Sequence, residues 1–169
     1  MMRLYQVETE EHKQYIRELF WEYLQWANQN VNENFNVNFD IAAMLDDDMR
    51  TLDKFLPPDG RLLLCVVDDQ LAGLACMKKL SDAVCEVKRM YVRPNFRGHG
   101  LGRALLQGLI DEARHMGYLI MRLDSARFMK EAHALYRSTG FREIESYEGS
   151  EIPEAFQQHW VFMELPLTQ

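Results

Sequence analysis

The run Arg93-Pro94-Asn95-Phe96-Arg97-Gly98-His99-Gly100-Leu101-Gly102-Arg103 constrains this chain more than any other part of it. It follows an apolar stretch, Met90-Tyr91-Val92. It leads into a segment with Leu101, Leu105, Leu109 and Ala113 on one stripe, the spacing of an amphipathic helix. A strand thus enters a loop rich in glycine and arginine, and that loop opens a helix. A helix N-terminus carries unpaired backbone N–H groups and a partial positive charge. Glycines let an anion approach such a backbone, so the natural ligand is a phosphate or pyrophosphate. Two common nucleotide loops are excluded by spacing: the glycines run G-x-G-x-G rather than G-x-G-x-x-G, and no Gly-Lys precedes a Ser or Thr. The plainer alternative is a glycine turn that caps a helix, with its arginines in water.

The rest of the chain alternates strand and helix signals. Arg3 to Glu8 reads as a strand. A helix runs from Glu10 to about Asn28 with Ile16, Leu19, Phe20, Tyr23 and Leu24 on one side. Asn28 to Asn38 reads as irregular, and a second helix covers Ile41 to Leu52, its Asp46-Asp47-Asp48 run a solvated face. Arg61 to Val67, Gln70 to Leu80 and Ala83 to Val92 form an antiparallel meander, with Asp68-Asp69 and Ser81-Asp82 at the turns. After the Gly100–Met116 helix come a strand from Tyr118 to Leu123, a helix from Phe128 to Ser138, and strands from Phe141 to Tyr147 and from Trp160 to Leu165. The order β-α-α-β-β-β-α-β-α-β-β implies an α/β layer fold around a mixed sheet.

Two motifs in this order carry a family resemblance. Arg97-x-x-Gly100-x-Gly102 resembles the Arg/Gln-x-x-Gly-x-Gly/Ala signature of the GNAT acyl-CoA N-acyltransferases. Ala134-Leu135-Tyr136-Arg137-Ser138-Thr139-Gly140-Phe141 resembles their second motif, a helix ending in Leu-Tyr and then Gly-Phe. The likeness covers Cys85 to Phe141, and elsewhere only the element order matches. It implies one domain over residues 1–169, with a mixed central sheet of about six or seven strands flanked by about four helices. It implies acetyl-CoA as cosubstrate, entering where the strand holding Met90 splays from the strand beginning at Tyr118. The pyrophosphate would lie on Arg97, Gly98, His99, Gly100, Leu101, Gly102 and Arg103. The pantetheine arm would run along Met90, Tyr91 and Val92, with the Met90 N–H toward the thioester carbonyl.

The same resemblance assigns two proton-transfer residues. Tyr136 matches the general acid that protonates the leaving thiolate; its alternative is a packed ring beside Leu135 and Phe141. Glu86 lies eleven residues before Arg97, where histone acetyltransferases of the family keep a general base. A two-residue period puts Glu86, Lys88 and Met90 on one strand face, and the alternative for Glu86 is an ion pair with Lys88 or Lys78. The family's usual Asn, seven residues before the tyrosine, is here Met129. A thioether cannot make an amide's hydrogen bonds, so Arg127 or Ser125 is expected to substitute. Acceptor choice is expected between Phe20 and Phe39 and between Ser146 and Trp160. Trp21, Trp26, Phe35, Phe39, Tyr147 and Trp160 are the candidate walls, and Glu148, Glu151 and Glu154 the candidate attractors of an amine.

Composition narrows the function further. At 169 residues, 47% hydrophobic and 27% charged, the chain is an ordinary soluble domain. Its net charge of −7 weighs against nucleic-acid binding. The apolar run Leu62–Val67 is too short to span a bilayer. The first residues lack a signal-peptide core, so a cytoplasmic location is expected. Cys65, Cys76 and Cys85 lie in strands, as buried reduced thiols. The five histidines show no ligand spacing, and no metal is expected. The reading that results is N-acetylation of a small-molecule primary amine by direct attack in a ternary complex. The rivals are a protein or peptide acetyltransferase and a non-catalytic acyl-CoA sensor; a homodimer is left open.

Overall fold

The structure, a computed structural model, describes residues 1–8 and 12–168. The expected start of the first helix at Glu10 lies outside the described residues. Seven strands form one sheet: β1 (Met2–Gln6), β2 (Arg61–Val67), β3 (Gln70–Lys79), β4 (Val84–Val92), β5 (Ile120–Ala126), β6 (Arg142–Ile144) and β7 (Trp160–Pro166). Four α-helices accompany it: α1 (Lys13–Phe35), α2 (Ile41–Arg50), α3 (Leu101–Met116) and α4 (Lys130–Thr139). The element order is the one expected. The sheet order is β1-β2-β3-β4-β5-β7-β6. Every pairing is antiparallel except β4 with β5. Among the described residues no helix is long and apolar enough to cross a membrane.

Each face of the sheet is covered. On one side α3 lays its apolar stripe across β2, β3 and β4, with Leu105, Leu106 and Leu109 fully buried. On the other side Ile16, Leu19 and Phe20 of α1 and Leu45 and Met49 of α2 pack on Leu62, Leu64 and Leu74. A third cluster, around Val31, Val37, Ile152, Trp160 and Phe162, closes the end of that side beside β7. Truncating one such fully buried leucine costs about 2–5 kcal/mol. An ion cluster fastens α1 to the end of β4: Arg93 bonds Glu22 at 2.6 Å, pairs with Glu18, and reaches the Leu71 carbonyl at 3.0 Å.

Three boundaries depart from the sequence reading in ways that shape the site. First, α1 does not stop at Asn28 but continues through the Asn-rich segment to Phe35. Asn is a poor helix former because its amide competes for backbone groups. Here the amides bond backward within the helix, Asn30 to the Trp26 carbonyl and Asn34 to the Asn30 carbonyl, each at 2.8 Å. Asn36, left-handed at φ 55°, ends it. Second, β5 begins two residues later than expected and runs on to Ala126, because β7 pairs with it as far as Ala126↔Trp160. Third, β6 is only Arg142–Ile144, shorter than the expected Phe141–Tyr147.

β4 and β5 pair only through Val84↔Ile120, Cys85↔Met121 and Glu86↔Arg122. Past that point they part, as the resemblance implied. In the same region β4 is bulged. Leu74 faces Tyr91 and Cys76 faces Lys88, so Ala75 stands opposite both Arg89 and Met90. Arg89 takes φ 54°, a left-handed conformation costing a non-glycine residue roughly 1–3 kcal/mol. The extra residue shifts the alternation. Met90 packs with Val87 and Val92 on the α3 side, while Tyr91 packs on the α1 side. The expectation that Glu86, Lys88 and Met90 share a face is therefore corrected: the bulge turns Met90 to the opposite face.

Candidate active site

The splayed strands open onto a groove of about 640 Å³ that follows β4 to the N-terminus of α3. Its floor includes Met90, Tyr91 and Val92, and its far end Gly98, Gly100 and Gly102. Gly98 and Gly100 sit at φ +83° and +80° with open space where a Cβ would project, so the loop keeps its backbone bare. No side chain caps α3, and the first helical bond recorded runs from Ala104 N–H to the Gly100 carbonyl. The preceding N–H groups have no partner within the helix. Arg97 stands beside them, its Nε donating to the Val92 carbonyl at 2.8 Å and its guanidinium 5.0 Å above the Trp26 ring. Arg103 donates to Ser138 Oγ at 2.9 Å. Bare amides, a helix dipole and two guanidiniums together suit a pyrophosphate.

Behind the bulge lies a second region, built from charge. Arg89, 6% exposed, is gripped by Asp48 of α2, Nε to Oδ2 at 2.7 Å and Nη2 to Oδ1 at 3.3 Å. Its other edge meets Glu151, in the segment between β6 and β7, at 2.7 and 3.2 Å. Lys88 Nζ lies 3.0 Å from Glu151 and 3.3 Å from Asp124 of β5. Burial opposes charge on both cations, but Asp124 and Glu151 with Glu86 at Lys88, and Glu151 with Asp48 at Arg89, outweigh it, so both stay protonated. At Glu151 burial would raise the pKa, and Lys88 with Arg89 instead hold it well below the ordinary carboxylate range. Four separate elements are thus joined through one buried network.

A pocket of about 270 Å³ occupies the space between α1, α2 and this network. Leu24, Val31, Phe39, Ile41, Met44 and Trp160 supply apolar wall, and Arg89, Asp124 and Glu151 lie along its charged side. A narrower cavity of about 80 Å³ lies between it and the groove and shares walls with both. That cavity shares Trp26, Met90, Met129 and Ala132 with the groove and Tyr23, Arg89, Asp124 and Glu151 with the pocket. Tyr136, 7% exposed, lines it. Burial foremost pushes the Tyr136 hydroxyl above its usual value, so it is a protonated donor at neutral pH.

The positions expected from sequence fall into three groups. All of the cofactor candidates except His99 line the groove; His99 is exposed and outside it. Tyr136 lines the connecting cavity, with its ring 5.7 Å from that of Phe141. Glu86 is fully buried and lines none of the three cavities. Tyr147 donates to its Oε2 at 2.7 Å, while its Oε1 has no hydrogen-bond partner among the described residues. Lys88 and Lys78 approach that atom only to 3.9 and 4.0 Å. Burial foremost raises the Glu86 carboxyl above its ordinary range.

Neither expected substitute for the missing Asn reaches the groove. Arg127 donates to the Gln158 carbonyl at 2.8 Å, and Ser125 is held by His133 at 3.0 Å. Met129 itself lines all three cavities. Of the acceptor-side candidates, Phe39, Trp160 and Glu151 line the pocket and Trp26 the groove. Phe35 instead stacks on His159, at 4.6 Å between centroids, and Trp21 faces a separate surface hollow. Glu148 and Glu154 are exposed and line none of these cavities.

Sequence reading missed Asp48, Arg89 and Asp124. Asp48 does not belong to a solvated face: it is 2% exposed. Its signal was present in the helix period, since Leu45, Asp48 and Met49 form one i, i+3, i+4 face and all three are buried. Asp124 lies one residue past Leu123, where the strand signal in the sequence stops. Arg89 had no local signal, because only the bulge turns it inward. Cys65, Cys76 and Cys85 are buried and free, as expected. Among the described residues no group of three or more His, Cys, Asp or Glu could hold a metal.

Known proteins agree with this geometry. The Acetyltransferase (GNAT) family profile matches residues 2–141. An uncharacterised N-acetyltransferase of Schizosaccharomyces pombe is 30% identical over 144 residues, covering 83% of this chain and 85% of that protein. The N-acetylaspartate synthetase of Danio rerio is 30% identical over 116 residues, 67% of this chain but only 41% of that protein. Among solved structures, the PaiA N-acetyltransferase of Thermoplasma acidophilum in complex with coenzyme A superposes with a TM-score of 0.74 at 16% identity, over 98% of this chain and 99% of that one. The strand-loop-helix groove, the splayed strands and these matches lead to one conclusion: the chain belongs to the GNAT family and is an acetyltransferase that uses acetyl-CoA.

Proposed function

We propose that the enzyme transfers the acetyl group to a small primary amine by direct attack in a ternary complex, in the cytoplasm. The observation that carries this reading is continuity. The groove at the α3 N-terminus opens through the Tyr136-lined cavity into a recessed pocket whose charged side holds Asp124 and Glu151. Donor and acceptor can therefore be bound together, from opposite ends, with no need for an acyl-enzyme. A recessed pocket walled by Phe39, Trp160 and aliphatic side chains favours a small molecule over a polypeptide. Three buried, reduced thiols agree with a cytoplasmic setting.

The roles follow from position. Bare amides of the Gly98–Arg103 loop, with Arg97 and Arg103, hold the pyrophosphate, and β4 at Met90–Val92 aligns the pantetheine arm as an added strand would. The acceptor's free amine attacks the thioester carbonyl; a C–N bond forms and the C–S bond breaks. Tyr136 gives its proton to the departing thiolate. The ammonium proton leaves to Asp124, directly or through water: Asp124 and Glu151 both border the pocket and the connecting cavity, but Glu151 is held by Arg89 and Lys88, while both bonds to Asp124 end on Oδ2. Glu86 acts one step behind, through Lys88 and Tyr147, as a positioning residue.

Release of free CoA thiol, followed with a panel of amines, tests the reading. Tyr136→Phe should lower kcat by about 10²–10⁴-fold, the usual range for general acid help, with acetyl-CoA affinity retained. Asp124→Asn should depress kcat/KM at neutral pH and recover in part at high pH, where the amine is already deprotonated. Full kcat in Tyr136→Phe would reduce that residue to packing.

A further inference from the structure

We infer that the acceptor is an apolar monoamine: a primary amine on an uncharged aromatic or branched aliphatic body, with no carboxylate beside the nitrogen. This rests on the acetyltransferase reading above and concerns the acceptor end of the same site. The hydrogen bonds around the pocket decide it. Arg89 is the only Lys, Arg or His among the described residues lining that pocket. Four of its N–H bonds are committed, two to Asp48 and two to Glu151, out of the five a guanidinium has. Ser125 and Asn28 are engaged too. Ser125 bonds His133 and Met129, and Asn28 accepts from the Phe39 N–H at 2.9 Å and donates to Asn38 at 3.0 Å. The Tyr23 hydroxyl and the Trp160 indole N–H also line the pocket, but both are neutral, and no cation there is left free to pair with an anion.

Acceptors, by contrast, are in surplus. Both hydrogen bonds reaching Asp124, from Lys88 at 3.3 Å and Ser150 at 3.0 Å, end on Oδ2. Oδ1 has no protein donor among the described residues. Glu151, some 36% exposed at its side chain, borders the same space. An ammonium group has three donors and no acceptor, and it complements this arrangement. Beyond it the wall is mainly apolar, from Leu24, Val31, Phe39, Ile41, Met44 and Trp160. The volume of about 270 Å³ corresponds to roughly nine waters at about 30 Å³ each, room for a ring or branched chain. An amino acid of the same shape would bring its carboxylate against Asp124 and Glu151 with no free cation to pair it, a charge buried unpaired.

Matched pairs test this. Thiol release would be measured with 2-phenylethylamine against phenylalanine, tryptamine against tryptophan, and aspartate as a doubly anionic probe. The amine of each pair should exceed its amino acid in kcat/KM by at least about 100-fold, within the range reached when a site leaves a polar group unpaired. Val31→Arg places a new cation in the wall, away from the groove, and should narrow that ratio at least about tenfold, with acetyl-CoA affinity unchanged as the control for folding. Equal or better turnover of phenylalanine, tryptophan or aspartate would overturn the inference and leave the acetyltransferase reading standing. Turnover of other amines with neither phenylethylamine nor tryptamine accepted would overturn it as well. Failure of the wild-type protein to bind acetyl-CoA by calorimetry would instead remove the reading beneath it.

Discussion

The two ends of the active site are built on opposite principles. The acetyl-CoA end takes its anion-binding parts from one continuous segment, Met90 to Arg103, with Trp26 and residues 128–132 only completing the wall, and works through exposed backbone: glycines at positive φ, an uncapped helix and two arginines facing water. The acceptor end draws on α1, α2, β4, β5 and the segment before β7, and works through the buried side chains of Asp48, Arg89, Lys88 and Asp124 with Glu151 at their rim. An exposed loop tolerates charge cheaply because water screens it, while a buried network holds only if every member keeps its partner. The comparison teaches that the donor end is locally encoded and individually replaceable, whereas the acceptor end is cooperative.

The largest effect should come from breaking that cooperativity. Asp48→Asn leaves Arg89 with Glu151 alone and Lys54, now 3.0 Å from Asp48, without its partner. Removing one member of a buried pair costs about 3–5 kcal/mol, read by chemical denaturation. Adding Arg89→Met to Asp48→Ala should restore part of that loss, since no unpaired guanidinium remains. The acceptor KM should rise in Asp48→Asn while acetyl-CoA affinity holds; equal losses at both ends would erase the distinction drawn here.

Gly100→Asp attacks the other end. It sets a carboxylate against the phosphate position and a side chain at φ +80°, and should weaken acetyl-CoA at least about 100-fold, ~2.8 kcal/mol. Gly100→Asn, which tolerates left-handed backbone and adds no charge, should lose only a few-fold. Calorimetry showing unchanged affinity in a folded Gly100→Asp protein would move the pyrophosphate elsewhere.

Glu86 sharpens the comparison through pH. Its folded carboxyl lies above the ordinary 4.5 because it is buried. A raised carboxyl binds its proton more tightly when folded, so its stabilising contribution is full below pH 4.5 and is lost as pH rises through the folded value. Glu86→Gln keeps an acceptor for Tyr147 but carries no such proton. The variant should therefore gain on the wild type as pH rises through that window, measured by thermal unfolding, and its kcat/KM profile should keep its shape. Loss of the acid limb in Glu86→Gln, with Asp124→Asn unaffected, would return the base role to Glu86.

The smallest effect is expected at the cysteines. Burial raises all three thiols, Cys85 to about 12, and none lines the groove, the connecting cavity or the pocket. Replacing all three with Ala or Ser should leave kcat within about twofold, apart from small stability losses. Stoichiometric acetylation of a cysteine during turnover would instead reveal a covalent route.

Much of this was legible before the structure. The element order, the meander and the α3 stripe follow from local periodicity, which records how one segment meets the core. The groove was legible for the same reason: its parts adjoin in the chain. Errors fell where a local rule met a long-range partner. The Asn-rich end of α1 was read as irregular from propensity, yet its amides bond the helix backbone and Val31 reaches the third core cluster. Asp124 was lost because only pairing with Phe162 of β7 keeps β5 extended there.

The family, the α/β order and the anion-binding loop are readable from the residues alone, because each is a property of residues within a few turns of one another. Which charges meet was settled only when the chain folded. Asp48, Arg89 and Glu151 are separated by 41 and 62 residues, and a bulge that no period predicts turns Arg89 inward. A buried ion pair is defined by what surrounds it once the chain has closed, and that information resides in no single segment.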